Sequence, residues 1–210
     1  SASGRIGASA STSTGAGVGA GAGVVRNDRG GRNRGTRNKI ASTNSLVEEF
    51  RLTNGKGRMW ALADIRGHVV DFCKDQFGSR FIQISLECAS SEDIKLVFDE
   101  IRSGLLFVVT DVFGNYVIQK LLDFGSPDLC AEIGLCIRDS LPAIAHQMYG
   151  CRVVQKVMNC IPRDLLFDIV SKLDTPAIMD SVRDQHCNHV IQKTIQLFSE
   201  LAHASDASGY

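Results

Sequence analysis

The sequence has little of what carries catalysis, metal binding or membrane insertion. Its seven cysteines, Cys73, Cys88, Cys130, Cys136, Cys151, Cys160 and Cys187, contain no C-x-x-C pair, the spacing on which many zinc sites are built. No metal or cofactor is therefore expected. No apolar run approaches the roughly 20 residues of a membrane span, so no membrane partner is expected. The N-terminal stretch lacks the apolar core of a signal peptide. Scattered cysteines without such a signal fit a reduced intracellular compartment, and a cytoplasmic location is the expectation. Proline is scarce, at four residues, and β-branched residues come in pairs rather than in alternation, which argues against strands. The chain starts at Ser1 rather than Met, so a fragment or processed product is expected.

Net charge is missing too: 23 Lys and Arg balance 23 Asp and Glu. The balance conceals an asymmetry. Residues 1–39 hold seven basic side chains, Arg5, Arg26, Arg29, Arg32, Arg34, Arg37 and Lys39, against Asp28 alone, and the remainder holds 16 basic and 22 acidic residues. Binding driven by phosphates needs a basic excess. Any nucleic acid on the acidic part must be held by a local face and by its bases. Residues 1–44, rich in Gly, Ala, Ser and Arg, cannot bury enough apolar surface to offset the entropy of ordering, so a disordered tail is expected. Arg26 to Arg37 reads as an RGG-type tract, able to touch RNA weakly through Arg or to act as a solvated linker.

From Leu46 onward helical periodicity takes over, and with it a repeat. Gln83, Gln119, Gln155 and Gln192 stand 36, 36 and 37 residues apart. Gly78, Gly114, Gly150 and Cys187 keep the same steps, each preceded by Phe77, Phe113, Tyr149 or His186. A fixed period of this size marks a stacked array whose units bury their faces only against their neighbours. The columns Phe81, Val117, Val153, Val190 and Ile82, Ile118, Val154, Ile191 stay apolar, as do Leu86, Leu122, Met158 and Ile195. They form a core-facing stripe. Cys73 shares a column with Val109, Ala145 and Val182, and Cys88 one with Phe124, Cys160 and Leu197, so these cysteines read as small core hydrophobes. Each unit fits two or three helices. The first is expected over Leu62–Phe72, followed by a turn at Asp75–Gly78, the helix Ser79–Glu87 and the helix Ser91–Arg102, with Ser90 or Ser91 as N-cap. Later counterparts are Asp128–Arg138 and Arg163–Lys172, with Pro162 at a helix start.

Beside the stripe, each second helix carries a polar pentad: Ser79-Arg-Phe-Ile-Gln83, Asn115-Tyr-Val-Ile-Gln119, Cys151-Arg-Val-Val-Gln155 and Asn188-His-Val-Ile-Gln192. Positions one and five are one turn apart on the same face and can share one flat ligand. Position two, occupied by Arg80, Tyr116, Arg152 and His189, is rotated by about 100° toward the neighbouring unit. All four are planar groups able to stack on a base. A Gln amide offers a donor and an acceptor to a base edge. Asn with Gln suits uracil, and Ser or Cys with Gln leaves room for a purine. Lys120, Lys156 and Lys193 follow three of the Gln residues and could meet an RNA backbone or lie solvated at the edge of the face. Ile84 breaks that series.

These pentads resemble the recognition helices of the Pumilio/PUF family over about Leu46 to Phe198, and their order resembles repeats one to four. The resemblance implies an all-α fold: a right-handed α-solenoid of stacked three-helix repeats, with the disordered tail ahead of it. It implies a capping segment at 45–61 and repeats at 62–97, 98–133, 134–170 and 171–206. It further implies that Ser79/Gln83, Asn115/Gln119, Cys151/Gln155 and Asn188/Gln192 contact base edges, reading adenine, uracil, adenine and uracil, and that position two stacks. With RNA antiparallel to the repeats, the implied target is 5′-UAUA-3′ in single-stranded mRNA, bound by a monomer that recruits deadenylase or translational repressors. Cys187 departs from the family's glycine; if the turn there needs positive φ, a cysteine is costly. Since members of the family usually have eight repeats, the resemblance implies that this is the N-terminal half of such a domain.

Two other functions compete: a protein-interaction solenoid with lost or weak RNA binding, and an enzyme using Cys151 with His146 or His189. The second lacks a carboxylate or oxyanion feature beside the cysteine.

Overall fold

The computed structural model describes residues 46–53, 57–173 and 178–207. The expected disordered tail lies outside the described residues. Every regular element among them is helical. A helix α1 over 46–53 and a 3₁₀ turn at Leu62–Ile65 come first. Three-helix units follow: α2 (Val69–Cys73), α3 (Gln76–Leu86) and α4 (Ser91–Ile101); α5 (Leu105–Thr110), α6 (Gly114–Phe124) and α7 (Pro127–Ile137); α8 (Leu141–Ala145), α9 (Gly150–Cys160) and α10 (Arg163–Val170). The last elements are α11 (Ile178–Arg183) and α12 (Cys187–Ala207). The middle helices pack in series, α3 on α6, α6 on α9 and α9 on α12, which puts the four pentads in one row. The fold is thus the expected all-α solenoid.

The apolar columns supply the packing. Ile82, Ile118 and Val154 are fully buried, as are Val117, Val153 and Val190, and each such side chain stabilises by about 1.5–3 kcal/mol relative to exposure. At the N-terminal end Phe50 of α1 packs its ring 5.1 Å from Trp60 and 5.3 Å from Phe72, covering the first repeat. In the fourth unit two columns open to solvent: Ile195 is 64% and Val182 47% exposed, since no further unit packs on α12 among the described residues. Cys73 is buried as expected, but Cys88 is exposed. The helix α3 ends at Leu86, which leaves Cys88 in the turn rather than on the helix.

Helix boundaries follow their caps. Ser90 accepts a hydrogen bond from Asp93 N at 3.1 Å and Ser126 one from Leu129 N at 3.2 Å, so α4 and α7 start where the serines dictate. The expected first helix, Leu62–Phe72, is instead broken at Gly67, whose φ is +82°. There Gly67 N donates to Glu100 Oε1 at 2.8 Å and Val69 N to Oε2 at 3.3 Å. A carboxylate from α4 thus satisfies the opening amides of α2. The recognition helix α3 begins at Gln76, three residues ahead of the expected Ser79, because Asp75 Oδ1 accepts from Phe77 N at 3.1 Å and Gly78 N at 2.8 Å.

The glycine column has a different cause from the one the sequence suggested. The positive-φ glycines are Gly57 and Gly67, so the column does not need the left-handed region. It needs space. A Cβ on Gly78 would stand 2.7 Å from Phe72 O, on Gly114 2.7 Å from Val108 Cγ1, and on Gly150 2.5 Å from Ile144 O. In each unit the crowding residue lies six positions earlier. In the fourth unit that position is Ser181, small and buried, facing a fully buried Cys187. The two sizes are exchanged together, and the cysteine fits without the strain expected for it. The extra residue of the fourth interval falls between the starts of α10 and α11, since Arg163 aligns with Pro127 at a step of 36 while Ile178 aligns with Leu141 at 37.

Candidate nucleic-acid interface

Three of the four recognition helices, α3, α6 and α12, are anchored at their start by an aspartate, which fixes how their pentads are presented. The aspartate cap of α3 recurs: Asp111 Oδ1 accepts from Phe113 N and Gly114 N, both at 2.8 Å, and Asp184 Oδ1 from His186 N at 2.9 Å and Cys187 N at 2.7 Å. The third unit has Gln147 in that column. Sequence reading missed this column, although Asp75, Asp111 and Asp184 share the repeat period. The amides of Cys187 and His186 hold the Asp184 carboxyl below its ordinary value. A carboxyl lowered on folding stabilises the native state above its unfolded pKa of about 4, and that contribution is lost as pH falls through the lowered folded value. Acidification is expected to loosen the start of α12, an effect that Asp184→Asn removes. Amide exchange at His186 and Cys187, followed from pH 6 to 3, checks this; a pH response equal in both proteins would contradict it.

Within the pentads the three roles separate by burial. Ser79, Asn115 and Cys151 are buried and Asn188 is half-buried, while Gln83, Gln119 and Gln155 are half-buried and Gln192 is exposed. The second positions, Arg80, Tyr116, Arg152 and His189, are all exposed. The first position is tied to its own helix. Asn115 Nδ2 donates to Asp111 O at 2.8 Å and Val112 O at 3.1 Å, and Asn115 Oδ1 accepts from Gln119 Nε2 at 3.0 Å. Gln155 Nε2 likewise donates to Cys151 O at 3.0 Å. In both repeats one N–H of the Gln amide is turned back to its own helix, which leaves Oε1 and the second N–H for a ligand. Uracil N3–H and adenine N6–H both offer a donor to such an oxygen. In the fourth repeat the ladder is unmade: Asn188 Oδ1 is buried and has no partner, an acceptor left for Gln192 or for a ligand donor.

The three lysines differ. Lys120 Nζ pairs with Glu87 Oε1 at 2.6 Å, and Lys156 Nζ pairs with Asp123. Both pairs tie a repeat to the one before it. For Lys193 the matching position is Asn159, and among the described residues Lys193 has no ion pair. The structure therefore gives Lys120 and Lys156 a role between repeats that the sequence did not reveal.

Cys151 is not arranged as a nucleophile. Its thiol donates to Met148 O at 3.5 Å, and burial raises its pKa, the opposite of an activated thiolate. His146 is engaged through Nδ1 with Pro142 O at 2.8 Å. Among the described residues no cluster of His, Cys, Asp and Glu could hold a metal ion, and no helix is long and apolar enough to cross a membrane.

The profile of the Pumilio-family RNA binding repeat matches residues 68–102, 108–133 and 141–173. Over 57 residues, 27% of this chain and 6% of the relative, the chain is 47% identical to Pumilio homolog 3 of Arabidopsis thaliana. Over 56 residues, 27% of this chain and 5% of the relative, it is 50% identical to Pumilio homolog 2 of Xenopus laevis. The Puf3 RNA-binding domain bound to a Cox17 RNA 3′-UTR recognition sequence superposes with a TM-score of 0.66 at 38% identity, over 72% of this chain and 43% of that domain. PUF-8 in complex with PBE-RNA gives 0.68 at 38% identity, over 72% and 44%. The chain thus spans under half of these solved domains and a small part of the curated relatives. With the profile falling on the same units that carry the first three pentads, this chain belongs to the Pumilio family of RNA-binding repeat proteins.

Proposed function

We propose that this chain binds single-stranded RNA in the 3′ untranslated regions of messages, one base per repeat. The reading is carried by one observation: four exposed planar side chains, each beside a Gln on the next turn, stand in register on four successive helices. A stacked base gains from the planar group, and Oε1 of the Gln meets its edge. The two Ser or Cys repeats leave more room than the two Asn repeats, which supports purines at Ser79/Gln83 and Cys151/Gln155 and uracils at Asn115/Gln119 and Asn188/Gln192. In the family's antiparallel polarity the sequence is 5′-UAUA-3′. Lys193, free of a carboxylate among the described residues, is the lysine best suited to a phosphate. Lys120 and Lys156 would have to leave Glu87 and Asp123 to do the same. The acidic balance beyond residue 39 fits a binder that relies on bases more than on phosphates.

Binding of this kind serves post-transcriptional repression in the cytoplasm, with the RNA-bound monomer recruiting deadenylase or translational-repressor proteins. The experiment is Tyr116→Ala. Stacking is worth about 1–3 kcal/mol per base, so affinity for UAUA-containing RNA should fall about tenfold while helical content stays unchanged. Tyr116 is exposed, so the fold has little reason to suffer. Undiminished binding would contradict the assignment of position two.

A further inference from the structure

The recognition helices face backward. Lys120 of α6 reaches Glu87 at the end of α3, and Lys156 of α9 reaches Asp123 of α6. The side bearing position two of each pentad and the residue after its Gln therefore meets the preceding repeat. In the first repeat the same side, with Arg80 and Ile84, meets no preceding repeat among the described residues. It borders a recess of about 680 Å³ against the capping segment, lined by Arg58, Met59, Trp60, Phe77, Arg80 and Ile84 among others. The Arg58 guanidinium lies 3.6 Å over the Trp60 ring. Among the described residues no carboxylate lines the recess. Ile84 is 57% exposed and Met59 98% exposed. The break in the lysine series at Ile84 now has a place: the position borders this recess, and its isoleucine keeps the wall apolar.

We propose that this recess holds one further nucleotide, the neighbour of the base read by the first repeat. The inference rests on the RNA-binding reading above. Three features select a nucleotide over other occupants. The recess continues the base row, because Arg80 belongs to both. Its lining includes flat surfaces, Trp60 with its stacked Arg58 and the guanidinium of exposed Arg80, on which a purine or pyrimidine can stack. It carries two permanent positive charges and, among the described residues, no lining negative one, which suits the phosphate joining the extra nucleotide to its neighbour. Gln76 is the one uncharged polar side chain on its lining among the described residues, without the second position of a pentad beside it, so the recess should discriminate between bases only weakly.

The test compares the full chain binding 5′-UAUA-3′, 5′-UAUAA-3′, the same five-mer with an abasic 3′ residue, and 5′-AUAUA-3′, at one salt concentration. The 3′ adenosine should tighten binding about tenfold. The abasic residue should give only a small part of that gain. The 5′ extension should give less than the 3′ one, since it leaves at the opposite end. Arg58→Ala, exposed and outside the core, should shrink the 3′ increment several-fold. UAUA binding with no increment from the 3′ base, or an increment untouched by Arg58→Ala, would overturn this proposal alone and leave the recess to a peptide side chain. Failure to bind UAUA at all would overturn the RNA-binding reading, and this proposal with it.

Discussion

Changing Asn115→Ser and Gln119→Glu together should turn the second repeat from uracil to guanine. The amides of this repeat are partly committed: Asn115 Nδ2 is spent on Asp111 O and Val112 O, and its Oδ1 holds one N–H of Gln119 Nε2. What remains is Gln119 Oε1 and its second N–H, an acceptor and a donor that suit the N3–H and a carbonyl of uracil. Guanine presents two adjacent donors, N1–H and the exocyclic amine, and a carboxylate accepts both. Glu at position five supplies the two acceptors, and Ser at position one makes room for the larger ring. Charge-assisted hydrogen bonds contribute about 1.5–3 kcal/mol each. Preference at that single base should therefore move by at least about a hundredfold in favour of guanine. The measurement is competition between UAUA and UAGA, the base next to the 3′ end being the one assigned to the second repeat. A preference for UAUA that survives the double change would sink the assignment of the pentad to a base edge.

The second large effect concerns stability. Gly150→Cys places a Cβ 2.5 Å from Ile144 O and 2.7 Å from Ile144 Cγ2. Backbone cannot yield as a side chain can, so α8 and α9 must separate, at about 1–3 kcal/mol or more. Ile144→Ser alone removes a buried side chain and should cost about 2–5 kcal/mol. The fourth repeat carries both changes at once, Cys187 facing Ser181, and packs the cysteine fully. Ile144→Ser removes the Cγ2 contact but keeps the carbonyl one, so the double variant Gly150→Cys/Ile144→Ser should be less damaged than the sum of the singles by about 1 kcal/mol of coupling. Urea unfolding of the four proteins closes the cycle. Strict additivity would show that the glycine column and the residue six positions earlier are not coupled through space.

That glycine column illustrates what was legible and what was not. The apolar stripe and the pentads were readable because they depend on residues one to five positions apart on one helix, and the period because the same pattern returns every 36 or 37 residues. The need for glycine was readable as a pattern, but its cause was not, because it lies in the approach of two helices. The break at Gly67 was hidden for the same reason: Glu100, which satisfies the amides there, is 33 residues away. Lys120 and Lys156 could be read either as backbone contacts or as solvated lysines because a sequence shows a charge without its partner; the partners Glu87 and Asp123 belong to the preceding repeat. Asp75, Asp111 and Asp184 could have been found, since a capping Asp three residues ahead of the glycine recurs with the repeat. Position one was read as sharing one flat ligand with position five; Ser79, Asn115 and Cys151 are buried, so their influence on a base would pass largely through the room they leave and the Gln they orient.

The central claim is that sequence, and not charge alone, is read by this chain. Its most direct measurement is a titration at fixed salt with 5′-UAUA-3′ and with 5′-UUAA-3′, which has the same composition and the same number of phosphates. Two of the four bases then face the wrong pentad. At about 1–3 kcal/mol per stacked base, binding should be weak, and UAUA should bind at least about tenfold more tightly. Equal affinity for the two RNAs would contradict base reading and leave only an electrostatic contact.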